Sequence, residues 1–289
     1  MPRRVARTVL RGDRRSNAAV LPDTGWSTAL LAHRLGEQNV VSVEVDKTVA
    51  DTARERLHDT GLHPTLLVGD GLAGHPAGAP YDRIIATVGL RQIPPVLLRQ
   101  LRPGGLLLAP WGSDYANQDA LVKLTADGEG AAVGPFLRPL EFMKARGQRG
   151  TWPRRSDYVP TDWAGVDPPR TTRLTPQDLG DELLSPGEWA LALALPGLVH
   201  RIGHRTPDEA SGWWYSLTDL SWAAATWRDG QPAKVWQGGP RRLFEEVESA
   251  HQRWQDHGRP GHDRYGLTID HHGQHTWLDH PHQPVAMRG

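Results

Sequence analysis

The chain has 289 residues, no cysteine, and 33 basic side chains balanced by 33 acidic ones. That excludes disulfides, thiol catalysis and cysteine metal sites, and removes any global electrostatic argument for a nucleic-acid or anionic-membrane partner. No apolar run nears the roughly 20 residues that span a bilayer, so a cytoplasmic protein without a membrane partner is expected.

Residues 1–17 form a basic N-terminal arm, with arginines at positions 3, 4, 7, 11, 14 and 15. No aromatic residue is interleaved, so a solvated arm is expected and no nucleic acid. The apolar run 18–21 suits a first strand. A helix is predicted from Trp26, with Trp26, Ala29 and Leu30 on one face and Gly36 as its stop. The β-branched run 40–45 suits a buried parallel strand. Residues 48–60 repeat Val49, Ala53 and Leu57 at helical spacing. Strands follow at 65–68 and 83–87, then a short helix at 94–100 with proline in its first turn. A fifth strand at 106–109 is entered through the Pro103-Gly104-Gly105 turn. The runs 121–125 and 136–144 read as a terminal antiparallel pair.

This alternation predicts an α/β fold: a doubly wound, mostly parallel, Rossmann-like sheet over residues 18–148. The stretch 149–173, dense in Pro, Gly, Arg and Asp, reads as a linker. Residues 174–289 read as a smaller α+β module. Its short strands are centred on Trp213 and Tyr215, on Trp222 and Ala224, and on 233–237. A helix with Leu243, Phe244, Val247 and Trp254 on one face follows, then a hairpin of 265–269 with 274–278.

In such a sheet the ligand site lies where strands end. Gly25 stands in a strand-to-helix turn, where backbone N–H groups and close ligand approach are both available. Nineteen residues on, Glu44 ends the second strand, where a carboxylate can accept both hydroxyls of an adenosine ribose or stand as a plain exposed acid. Asp46 reads as the cap of the next helix. Asp70, within Gly69-Asp70-Gly71 after the third strand, can accept from an adenine amino group; alone it would be a turn acid.

The ordered segments TGWSTALLA, VVSVEVD, VGDGLAGHPAGAPYDRIIATVG and IPPVLLRQLRPGGLLLAPWG resemble protein-L-isoaspartate O-methyltransferases, a class I family dependent on S-adenosyl-L-methionine. The likeness spans residues 18–147. It implies a seven-stranded sheet with an antiparallel last strand. It implies that Gly25 flanks the methionine part of the cofactor, that Glu44 holds the ribose, and that Asp70 with Gly71 meets the adenine. Asp82 would order the entry to the fourth strand, and Thr87 would lie near the transferring methyl. The candidate cofactor set is Thr24, Gly25, Trp26, Glu44, Val45, Asp70, Gly71 and Thr87, with no side chain assigned to catalysis. Methyl transfer to a carboxylate needs alignment and exclusion of water more than a strong base. The implied activity is carboxyl O-methylation of aspartyl or isoaspartyl side chains in a peptide or protein.

Two departures from the family stand out. Its three alternating first-loop glycines fall here on Leu21, Asp23 and Gly25, with Ala19 where the acid would be, and its upstream serine-containing segment has no counterpart. These motivate the alternative of a non-catalytic paralogue with a peptide-binding extension. The second half, with YGLTIDHHGQHTWLD at 265–279, resembles actinobacterial methyltransferases associated with ATP-grasp ligases in ribosomal peptide maturation, which implies a modified-peptide substrate and a ligase partner. Ten tryptophans beyond residue 150 suit core packing, or a peptide groove as the alternative. The histidines at 271, 272, 275, 280 and 282 are too irregular to fix a coordination geometry, and no metal is expected. Arg146 and Arg149 read as solvated, or as contacts for an acidic peptide.

Overall fold

The protein is described by a computed structural model over residues 17–21, 25–162, 166 and 168–285. It divides into two compact units, the first of residues 1–111, 120–148 and 265–283 and the second of 112–119, 149–264 and 284–289. Among the described residues no helix is long and apolar enough to cross a membrane.

The first unit opens with β1 (Ala18–Leu21), in which Ala18, Ala19 and Val20 are fully buried. Helix α1 (Trp26–Leu35) buries Thr28, Leu31, Ala32 and Leu35, spaced i, i+3, i+4 and i+7. Trp26, expected on the inner face, is 58 % exposed. The stripe that meets the sheet is two residues further round the helix. Strand β2 (Val40–Glu44) leads into α2 (Lys47–Asp59), capped by Asp46, which accepts from the Thr48 and Val49 N–H groups. Next come β3 (Thr65–Val68), β4 (Tyr81–Ala86), α3 (Pro95–Arg99) and β5 (Leu101–Trp111). The Pro103-Gly104-Gly105 turn lies inside β5: pairing with β4 slips from Tyr81↔Leu101 to Arg83↔Leu106, so the turn bulges from a longer strand. Strands β6 (Asp119–Ala126) and β7 (Ala132–Leu140) complete the run.

In the second unit the expected linker contains a short helix, α4 (Arg155–Tyr158), and a strand, β8 (Arg170–Thr172), which pairs antiparallel with residues 233–235. Helix α5 (Pro186–Ala194) and strand β9 (Leu198–Thr206) had no sequence expectation. Seven of the nine α5 residues are buried, so it carries no polar face from which a helical period could be read. Strands β10 (Glu209–Ser216), β11 (Trp222–Arg228) and β12 (Ala233–Gly238) and helix α6 (Leu243–Asp256) follow. The five strands form an antiparallel sheet in the order β8-β12-β11-β10-β9. Trp214, Leu191, Phe244 and Val247 share the core on one face, while Tyr215, Trp222 and Val199 cluster on the other.

The last hairpin, β13 (Tyr265–Asp270) and β14 (Gly273–Leu278), corrects the expected boundary of the C-terminal module. It belongs to the first unit, where β13 pairs antiparallel with β7. Among the described residues the sheet therefore has nine strands rather than seven, in the order β14-β13-β7-β6-β5-β4-β1-β2-β3. The hairpin occupies an edge of β7 that would otherwise present unpaired backbone groups. Gly266 makes room for it: a Cβ there would lie 2.0 Å from the ring of Trp277, its cross-strand partner.

Candidate cofactor cleft

From β1 the chain runs outward through β2 and β3, then crosses back to lay β4 on the other side of β1. That reversal is the topological switch point, and the crevice lies at the carboxyl ends of these strands. All four are parallel neighbours in register, with Leu21 opposite Ala86 and Glu44 opposite Val68. Each sequence-predicted residue follows one of these ends.

Gly25, after β1, takes φ +97°, a left-handed backbone that glycine adopts without strain. A Cβ at Gly25 would meet the Ala53 Cβ at 3.2 Å, so the turn lies tight against α2. Thr24 and Asp23 lie outside the described residues.

Glu44 is 7 % exposed. Its Oε1 accepts from the Asp46 N–H at 2.9 Å, and its Oε2 has no partner among the described residues. The Glu44 carbonyl accepts from the Gly69 N–H at 2.9 Å, which brings the ends of β2 and β3 together. Asp70 therefore stands one residue from the backbone group that Glu44 holds. Asp70 accepts from the Leu72 N–H, its chain is open to solvent, and Gly71 beside it is buried. Val45 is exposed and Thr87, directly after β4, is half-buried. The structure thus brings Gly25, Glu44, Val45, Asp70, Gly71 and Thr87 to one end of one sheet. Trp26 joins them as the exposed first residue of α1.

Asp82 sits at the opposite, amino end of β4. It exchanges hydrogen bonds with Asn17 and pairs with Arg102. Its role is to fix the strand entry, away from the cleft.

Arg146 was missed as part of this rim. Its Nη2 donates to Asp46 Oδ2 at 2.9 Å, and that guanidinium, with the cap N–H groups, holds the Asp46 carboxyl below the usual carboxylate range. The partners are 100 residues apart, and no local spacing signals such a pair.

In the second unit the buried side chains of His200, Tyr115 and Trp214 are engaged with one another. His200 stacks on Tyr115 with centroids 4.1 Å apart, and its Nδ1 lies 3.0 Å from the Tyr115 carbonyl. Trp214 Nε1 donates to the Tyr115 hydroxyl at 3.0 Å. Burial pushes His200 down to about 4 and His262, beside Gln118, down to about 4 as well. A polar cleft of about 710 Å³ lies between Thr171, Asp178, Glu248 and His251, with no tryptophan in its walls. Of the histidines near the C-terminus, His275 meets Asp270 at 3.1 Å, and His271 packs on His272. Among the described residues no group of three metal-ligating side chains is placed to hold an ion.

The switch point, the strand-end acids and the antiparallel strands beyond β5 define a class I methyltransferase fold. Residues 20–146 match the family model of Protein-L-isoaspartate(D-aspartate) O-methyltransferase. A protein-L-isoaspartate O-methyltransferase of Methanopyrus kandleri is 40 % identical over 109 residues, covering 37 % of this chain and 48 % of that protein. One from Ignicoccus hospitalis is 37 % identical over 122 residues, covering 42 % and 57 %. The chain thus spans about half the length of the curated relatives it matches. A solved structure of a protein-L-isoaspartate O-methyltransferase shares the fold at a TM-score of 0.54 and 18 % identity, covering 96 % of this chain and 80 % of that one.

Proposed function

We propose that the chain is an S-adenosyl-L-methionine-dependent O-methyltransferase that esterifies aspartyl or isoaspartyl carboxyl groups of a peptide or protein. The observation that carries this reading is Glu44: a nearly buried carboxylate at the switch point, with Oε1 held by the Asp46 N–H and Oε2 left to a ligand. Vicinal ribose hydroxyls suit that acceptor. Asp70 and the buried Gly71 fit an adenine edge, and the left-handed Gly25 turn fits the methionine part. The cofactor supplies a sulfonium-bound methyl already activated towards a carboxylate. The chain's own work is to hold the adenosine through Glu44 and Asp70, to fix the β1 and β4 ends around the reacting atoms, and to keep water out.

Within this reading, the resemblance of the second half to enzymes of ribosomal peptide maturation supports a modified peptide as substrate and an ATP-grasp ligase as partner. Leu21 and Asp23, where the family has glycines, favour a second reading as a non-catalytic paralogue with a peptide-binding extension. Incubation with methyl-labelled cofactor and isoaspartyl peptides separates the two. The proposal expects a base-labile methyl ester on the peptide; bound cofactor without any ester would establish the paralogue instead.

A further inference from the structure

After β7 the chain returns across the carboxyl end of the first sheet, and residues 143–148 are pinned there. The Met143 carbonyl accepts from the Gly89 N–H at 2.9 Å, and the Ala145 N–H donates to the Gly89 carbonyl at 3.0 Å. Gln148 Oε1 accepts from the Arg91 and Gln92 N–H groups at 2.7 and 3.1 Å, while its Nε2 donates to the Gln92 carbonyl at 2.7 Å. Gly89, Arg91 and Gln92 all belong to the loop that leaves β4. Between these anchors, Arg146 reaches Asp46, two residues past the end of β2. Since β1 lies between β4 and β2, this side chain links the ends of the two strands that flank β1.

We propose that residues 143–148 are a strap over the cofactor cleft, and that the Arg146–Asp46 pair is its latch, which sets how long S-adenosyl-L-methionine stays bound. The inference rests on the reading of the cleft as the cofactor site. Its logic is a difference in strength along one segment. The anchors are multiple hydrogen bonds on the β4 loop, whereas the latch is one exposed ion pair, weak enough to open while the anchors hold. Arg146 is a positioning residue: it acts through Asp46 and takes no part in methyl transfer.

The test measures the dissociation rate of radiolabelled S-adenosyl-L-methionine and its calorimetric affinity for wild type, Arg146→Gln, Asp46→Asn and the double variant. Asparagine caps a helix about as well as aspartate, so Asp46→Asn removes the charge while keeping α2 capped. Each single variant should dissociate about two- to fivefold faster and bind correspondingly more weakly. The double variant should lose no more than either single, and added salt should speed release from wild type but not from the variants. Wild-type release rates in both singles, or losses that add in the double, would overturn the strap. Absence of saturable binding by wild type would overturn the cofactor site together with it, and so tells the two failures apart.

Discussion

Glu44 and His200 are both nearly buried polar side chains, 7 % and 8 % exposed, one in each unit. Glu44 ends a parallel strand, and one of its carboxylate oxygens has no partner among the described residues. His200 lies in an antiparallel sheet, stacked on Tyr115 and bonded to its carbonyl, and burial holds it neutral. The difference is topological. A parallel sheet gathers strand ends on one side, where side chains can be buried yet left incomplete for a ligand. In the antiparallel sheet, whose two faces are both covered, His200 finds its partner within the fold. Burial of a titratable group therefore does not by itself separate the candidate cleft from the core; what sets Glu44 apart is its place at a parallel strand end.

The largest expected effect is on the second unit. Trp214→Ala removes a fully buried ring that packs edge-on against Phe244 and donates to Tyr115. It should cost about 3–5 kcal/mol in urea unfolding. A loss below about 1 kcal/mol would mean this core is looser than its packing indicates and would weaken the contrast between the units.

A smaller effect follows from pH. His200 and His262 titrate near 4 when folded, against an ordinary value of 6.5. The unfolded chain thus takes up protons first as pH falls. Stability is complete above about pH 6.5 and is lost progressively towards pH 4. By pH 5 each site should have given up about 2 kcal/mol, read from urea midpoints between pH 7 and 5. A flat profile across that range would show that these imidazoles are open to solvent and are not core.

Much of the first unit is legible in the sequence because β1 to β4 are short runs, each with a glycine or a polar residue at or soon after its end. Gly25, Glu44 and Asp70 stand out for that reason, and their convergence needs only the parallel order. What is not legible depends on distant pairing. The β13–β14 hairpin reads correctly as a hairpin, but nothing local says it joins β7, about 130 residues earlier, through Gly266 opposite Pro135. The Arg146–Asp46 pair is hidden in the same way. Helix α5 is hidden by uniform burial, and the histidines near the C-terminus are turn and edge residues of the first sheet.

Whether Glu44 holds a ligand is tested most directly by calorimetric titration of wild type and Glu44→Gln with S-adenosyl-L-homocysteine. Wild type should bind saturably with one site per chain. The variant should keep its unfolding midpoint and bind about 10- to 100-fold more weakly, the loss of charge-assisted hydrogen bonds to the ribose. Equal affinity in the two proteins, or no saturable binding by wild type, would contradict a ligand role for Glu44.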